Sequence, residues 1–223
     1  MKRIVLSLLA VTAMSTAFAQ SQKSSNISAG ITLGGNYTGI SGAGSTFKPG
    51  ANIGLNMIWA PREHWGFGGE LKYSMEGGKN IIANAYSPYD AHVNTTLHYV
   101  RIPLRVTYFF GRYSDHIRAK VFAGPTFGIL AGNNADITFP GLSETTTQLI
   151  NYPGPSYNTF DFGLHAGGGL NVRLTPKGIW LSVDAAYTQG LLDVSKTLPG
   201  TNLNQNISLN AGLSIPFGYA KAK

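Results

Sequence analysis

The sequence contains no cysteine, few charged residues and no long apolar run beyond its N-terminal segment. Without cysteine, a disulfide scaffold and a cysteine-ligated metal site are excluded. Charged residues make up 12% of the chain, about half the usual fraction in soluble globular proteins, while the hydrophobic fraction of 43% is too high for a disordered chain. No later segment approaches the ~18 consecutive apolar residues that a membrane-spanning helix requires.

The N-terminus has the three parts of a secretory signal. Lys2 and Arg3 are basic, residues 4–12 are apolar, and Ala17-Phe18-Ala19 supplies small residues for a cleavage site. This order favours a cleaved signal over a buried helix. We therefore predict a signal peptide at 1–19, a short N-terminal segment at 20–26, a barrel domain at 27–219 and a C-terminal tail at 220–223.

Apolar and polar residues alternate along most of the remaining chain. Every second residue from Ala51 to Trp59 is apolar, a period that is typical of strands with one apolar face. The pattern predicts eight strands, at 27–37, 47–60, 64–76, 96–111, 117–131, 158–174, 178–192 and 206–219. The predicted connections alternate between short (61–63, 112–116, 175–177) and long (38–46, 77–95, 132–157, 193–205). This alternation favours an antiparallel up-and-down barrel with its short turns at one end.

The composition of the two faces predicts which one points outward. The polar face of the last strand carries Asn206, Ser208, Asn210 and Gly212, small residues that fit a narrow interior better than a hydrated surface. The opposite face is an unbroken row of large apolar residues. No Asp, Glu, Lys or Arg falls on the apolar faces, where a charge costs up to ~2–4 kcal/mol in a bilayer. We therefore predict an all-β, eight-stranded transmembrane barrel with periplasmic turns and longer extracellular loops.

The predicted lumen contains a set of charged side chains. Because buried charges require partners, we expect Arg101 and Arg105 to bond Glu70 or Asp184. Glu76, Lys79 and Asp136 are assigned to the long loops. A network that plugs the lumen, an ion path and a device for folding specificity all stay open. The predicted luminal residues are Lys48, Glu70, Lys72, Arg101, Arg105, Arg118, Lys120, Asp161, Arg173 and Asp184.

Aromatic residues gather at the predicted strand ends. Such rings form girdles at the two membrane interfaces of outer-membrane barrels, although aromatics also favour strands in general. At the end with short turns, the predicted interfacial aromatics are Trp59, Trp65, Tyr108, Phe110 and Phe217.

Three segments resemble a known family. Residues 97–106 (LHYVRIPLRV) resemble a Tyr-x-x-(Ile/Val)-Pro-Leu segment of the PorT-like outer-membrane β-barrel family of Bacteroidetes. Residues 160–170 and 187–193 are similar to its Gly-rich strand and its Tyr…Gly-Leu strand end. The resemblance implies an outer-membrane barrel, in a family with one component linked to a secretion system. Pro103 within the first segment cannot donate to a ladder, so we expect a bulge there.

Catalytic motifs are weak. His165 and Asp161 share a face and could orient a general base, but no Gly-x-Ser-x-Gly motif accompanies them. We expect a non-enzymatic, monomeric outer-membrane protein without cofactor or metal, with a structural or adhesive role or as an accessory to a secretion system. Its expected partners are outer-membrane lipids, the barrel-assembly machinery and envelope or secretion-complex proteins, but not nucleic acid. The alternatives are a lipid-A-modifying enzyme and a soluble periplasmic lipocalin-like binder.

Overall fold

The computed structural model describes residues 27–42, 45–82, 91–138, 156–175, 178–197 and 200–217. The predicted signal peptide, the segment 20–26 and the tail 220–223 lie outside these residues and stay predictions. The strands are β1 (Ile27–Ile40), β2 (Lys48–Trp59), β3 (Trp65–Ile82), β4 (Ala91–Phe109), β5 (Ile117–Thr138), β6 (Phe160–Arg173), β7 (Trp180–Gly190) and β8 (Asn204–Pro216).

The eight strands form a closed antiparallel barrel in which each strand pairs with its neighbours along the chain. Closure occurs between β1 and β8, whose register runs from Ser28↔Pro216 to Ile40↔Asn204. The predicted fold and strand number are confirmed. Short connections join the strands at one end, here called the turn end, and longer ones join them at the other, the loop end. Within the described ranges, no helix has the length and apolarity needed to cross a membrane.

Three strands extend at the loop end by five or more residues beyond the predicted bounds. β3 continues to Ile82, β4 begins at Ala91 and β5 continues to Thr138. Their ladders stay in register through polar residues, for example at Lys79↔Asn94 and Asn94↔Asp136. Polar and glycine-rich sequence resembles a loop, but cross-strand hydrogen bonds do not depend on side-chain polarity. Lys79 and Asp136 therefore lie in strands, and their assignment to loops is wrong.

The apolar side chains face away from the barrel interior. Leu209 keeps 62% of its surface exposed and Leu55 keeps 59%, whereas Asn36, Asn52 and Ser74 are buried inside. A soluble lipocalin-like barrel has the opposite arrangement, so that alternative is wrong. The outer surface is suited to hydrocarbon.

Candidate functional site: the luminal charge network

The centre of the lumen contains an ion-pair cluster around Arg105 of β4. Its guanidinium lies 2.6 Å from Glu70 of β3 and 3.5 Å from Asp184 of β7, strands on opposite sides of the barrel. Lys72 contacts the second oxygen of Glu70 at 2.9 Å, and Lys120 contacts Asp184 at 2.8 Å. These side chains are largely shielded from solvent, so each charge requires an opposite charge nearby, and the other members of the cluster provide it.

A second cluster lies nearer the loop end, around Arg101 of β4. Its Nε and Nη2 atoms donate to the Glu76 carboxylate at 2.8 and 2.6 Å, and Nη2 lies 2.8 Å from Asp161 of β6. Asn206 donates to Glu76 at 3.3 Å and Asn204 donates to Asp161 at 2.9 Å. Glu76 is 1% exposed and Asp161 is fully buried. Both carboxylates therefore depend on these polar contacts.

The partners of Arg101 differ from the sequence prediction. Arg105 contacts both acids expected for it, but Arg101 binds Glu76 and Asp161 rather than Glu70 or Asp184. Glu76 was assigned to a loop, and that assignment is wrong because β3 continues past it. The position of Glu76 could have shown that it faces the lumen. Side chains alternate along a strand, so Glu76 points to the same side as Glu70 and Lys72, which are an even number of residues away.

Two glycines make room for charges that cross from strand to strand. Arg101 lies opposite Gly128, which in turn lies opposite Asp161, so the guanidinium passes over the glycine to reach the acid. A Cβ on Gly128 would lie 2.8 Å from Nη1 of Arg101. Lys120 of β5 reaches Asp184 of β7 in the same way, across Gly169 of β6. The network therefore requires glycine at defined places between its charged partners.

Four carboxylates and four cations form these two clusters, so the described network is electrically balanced. The three other predicted luminal cations lie outside it. Lys48 lies near the loop end, where its Nζ donates to the Thr95 carbonyl at 3.1 Å and to Thr96 Oγ1 at 2.6 Å. Arg118 and Arg173 lie near the turn end. The excess of positive charge is thus confined to the two ends of the lumen.

An apolar cluster lies at the loop end of the barrel. Two strands and the segments that follow β5 and β7 supply its buried members, which are Ile40, Leu97, Tyr99, Tyr157 and Val194. The Tyr157 hydroxyl donates to Thr95 Oγ1 at 3.3 Å, and burial raises the pKa of this hydroxyl above its ordinary value. This cluster therefore lies on the loop-end side of the Arg101 cluster.

The predicted interfacial aromatics lie near the turn end. The rings of Trp65 and Phe110 each make an edge contact with Tyr108, and Trp59 packs against Phe67. Except for Tyr108, which is partly covered, they are exposed on the outer surface. Their positions suit an interfacial girdle, which stays a prediction for Trp59, Trp65, Tyr108, Phe110 and Phe217.

His165 and Asp161 form no hydrogen bond with each other. Asp161 is bound by Arg101 and Asn204, whereas His165 packs 6.0 Å from the Phe122 ring. The general-base pairing considered from the sequence is therefore absent between these two described residues. In the described part of the chain, no group of three His, Asp or Glu side chains is placed to hold a metal ion.

The bulge expected at Pro103 is also wrong. The irregularity between β4 and β5 lies at His98 and Tyr99, while Pro103 stays in register with Thr126. On its other side, the β3–β4 ladder has no paired residue for Pro103. Because Pro103 has no N–H to donate, pairing between β3 and β4 is interrupted there, and it resumes in the same register.

An apolar exterior, a polar ion-paired interior and closed antiparallel strands define an integral outer-membrane β-barrel. The family model described as outer membrane protein beta-barrel domain matches residues 18–196. The chain belongs to this family and is located in the outer membrane. Its turn end therefore faces the periplasm and its loop end faces the exterior.

Solved structures similar to this chain include Neisserial surface protein A, with a TM-score of 0.49 and 15% identity, covering 87% of this chain and 99% of that one. The Ail attachment invasion locus protein of Yersinia pestis has a TM-score of 0.42 and 14% identity, with 84% and 98% covered. OprG from Pseudomonas aeruginosa has a TM-score of 0.47 and 10% identity, with 86% and 95% covered. A search of curated proteins finds no match.

Proposed function

We propose that this protein is a non-enzymatic, monomeric outer-membrane scaffold with a plugged lumen, and that its functional surface is the extracellular end. The supporting observation is the ion-pair network across the lumen. Arg105 connects β3 to β7, and Arg101 connects β3 to β6, so charged side chains occupy the barrel axis at two levels. The cavity between them has a volume of about 40 Å³, room for about three water molecules.

The loop end supports an extracellular role. β3, β4 and β5 contain 18, 19 and 22 residues, whereas about 9–11 tilted residues suffice to cross the hydrocarbon. Their outer parts therefore project beyond the membrane as a three-stranded sheet on a rigid barrel. Such a projection supports a structural or adhesive role, or docking of an envelope or secretion-complex protein. The resemblance to the PorT-like family is compatible with the last of these.

Ion conductance across planar bilayers tests the plug. The unmodified barrel is expected to show no steady open level, because the paired side chains of the two clusters occupy the barrel axis. A variant with serine at every charged position of both clusters removes the two levels without leaving an unpaired member, and should admit measurable current. These positions are Glu70, Lys72, Glu76, Arg101, Arg105, Lys120, Asp161 and Asp184. The matched control Arg62→Ser changes an exposed turn residue and should stay closed. A steady open level in the unmodified protein would contradict the proposal.

A further inference from the structure

The periplasmic end of the lumen contains a cavity that the charge network leaves open. Its volume is about 70 Å³, and we call it the periplasmic vestibule. Charged, aromatic and polar side chains all line this cavity, so its surface is neither purely apolar nor purely polar. Its lining includes Phe109, Tyr113, Arg118, Asn171, Trp180 and Ser214.

Arg118 is the unusual member of this lining, because its side chain is buried and no described carboxylate forms an ion pair with it. It is 5% exposed and forms no ion pair with any described residue. One guanidinium nitrogen donates to the Glu63 carbonyl, while Nε is buried without a hydrogen-bond partner. The guanidinium stacks 4.8 Å from the Phe109 ring centre. A buried guanidinium with an unused donor is costly unless an anion compensates it.

A second guanidinium increases the positive charge beside the vestibule. Arg173 lies over the rings of Trp180 and Tyr113, at 4.9 and 5.3 Å, and donates to the Tyr113 carbonyl. Its Nε is also buried without a partner. Arg118 lies 5.8 Å from the same Tyr113 ring. Two cations therefore share one aromatic ring, and the described residues supply neither with an ion-paired carboxylate.

The acids in the neighbouring turns are bound elsewhere. The Glu63 carboxylate accepts a hydrogen bond from the Tyr113 backbone N–H at 2.9 Å, and the Asp115 carboxylate accepts one from the Arg112 N–H at 2.7 Å. Both lie in exposed turns, where water screens their charge. They moderate the positive potential of the vestibule but do not fill the hydrogen-bonding positions of Arg118.

We propose that the periplasmic vestibule binds a small oxyanion, a phosphate or carboxylate group that enters from the periplasm. Arg118 forms the ion pair, because its planar fork of N–H donors matches two oxygens of such a group. Arg173 adds a favourable field from behind Tyr113 and Trp180. Asn171 and Ser214 supply amide and hydroxyl groups around the anion. Arg105 and Lys120 of the central cluster also line the vestibule, but their charges are paired with Glu70 and Asp184. The proposed site therefore adjoins the proposed plug and depends on Arg118 rather than on the plug's ion pairs.

Fluorescence of Trp180 provides a direct test in the refolded barrel. A background with Trp59→Phe and Trp65→Phe leaves Trp180 as the sole tryptophan, since the chain contains three. Sodium phosphate and sodium acetate are titrated separately against sodium chloride of equal ionic strength. We expect a saturable change in Trp180 emission with at least one oxyanion and none with chloride. The two titrations distinguish a phosphate from a carboxylate ligand.

Variants at both ends of the lumen assign the response. Arg118→Gln should weaken binding by about tenfold or more, since a hydrogen bond to a charged group is lost. Lys48→Gln removes a buried cation at the opposite end and should leave the affinity unchanged. Arg118→Lys keeps the charge but loses the fork, so it should bind with intermediate affinity. If Arg118→Gln does not fold, the comparison of Arg118→Lys with the parent decides the role of the fork.

Three results would overturn the proposal. The first is the absence of saturation with both phosphate and acetate. The second is an equal response to chloride, because that response reflects screening. The third is unchanged affinity in a folded Arg118 variant, with folding shown by the heat-dependent mobility of the barrel on gels. None of these results bears on conductance, so failure of this site and failure of the plug are distinguishable.

Discussion

Gly128→Ala is expected to weaken the outer ion-pair cluster through a single methyl group. The new Cβ would lie 2.8 Å from Nη1 and 3.2 Å from Cζ of Arg101, and all its close neighbours are side-chain atoms. An ordinary contact needs about 3.5 Å, so the guanidinium must move by roughly 0.7 Å. Arg101 holds Glu76 and Asp161 at 2.6 to 2.8 Å, and this shift would stretch those contacts.

We expect Gly128→Ala to cost about 1–3 kcal/mol, the usual range for overpacking. Urea unfolding in lipid vesicles measures the cost, and with a slope of about 2 kcal/mol/M the midpoint should fall by roughly 0.5–1.5 M. Gly132→Ala is the matched control on the same strand, because nothing lies within 4 Å of its added Cβ. That control should change stability by less than about 0.5 kcal/mol.

A double variant distinguishes the loss of the Arg101 ion pairs from a general disruption of packing between the strands. In an Arg101→Met background the flexible methionine can move aside, so Gly128→Ala should then cost little. Equal midpoints for Gly128→Ala and Gly132→Ala would refute the crossing geometry. So would a Gly128→Ala cost that persists in full when Arg101 is methionine.

Two further predictions concern the interior and the exterior of the wall. Arg101→Met alone leaves Glu76 and Asp161 buried without their cation, so the free energy of unfolding measured with urea should fall by about 3–5 kcal/mol. Adding Glu76→Gln and Asp161→Asn should restore most of that stability. If it does not, Arg101 stabilises the barrel through packing. Leu209→Arg puts a charge on the lipid-facing surface of β8 and should lower the free energy of unfolding by about 2–4 kcal/mol. The control Leu209→Ile should leave it nearly unchanged. If arginine is tolerated, the outward orientation of this face is contradicted.

Period-two alternation was sufficient to predict the barrel and its orientation. In β8, Leu209 and Leu213 alternate with Asn210 and Gly212, and the structure places the leucines outside and the polar residues inside. Strand ends were less predictable. The predicted loop at 77–95 begins with Gly77 and Gly78, but β4 supplies pairing partners for both. Backbone pairing can continue wherever a neighbouring strand is available, and sequence alone does not reveal that neighbour.

The ion pairs could be predicted as a set but not as individual contacts. Arg101 lies directly opposite Lys72, a like charge, and binds Glu76 four residues farther along β3. The direction of that reach depends on the empty space at Gly128 and on the position of Asp161 one strand beyond it. These relations arise from the stagger between strands, which residue types and spacing do not specify.

The unequal strand lengths give the outside of the cell an asymmetric target. Beyond Leu130, β5 pairs with β4 alone among the described residues, and it continues to Thr138, about 25–30 Å farther along the strand. An antibody approaching the cell would meet a ridge on one side of the barrel, built from a continuous stretch of sequence. Antibodies raised against the folded barrel should therefore bind intact cells on that side, and their binding should be lost when the barrel is unfolded.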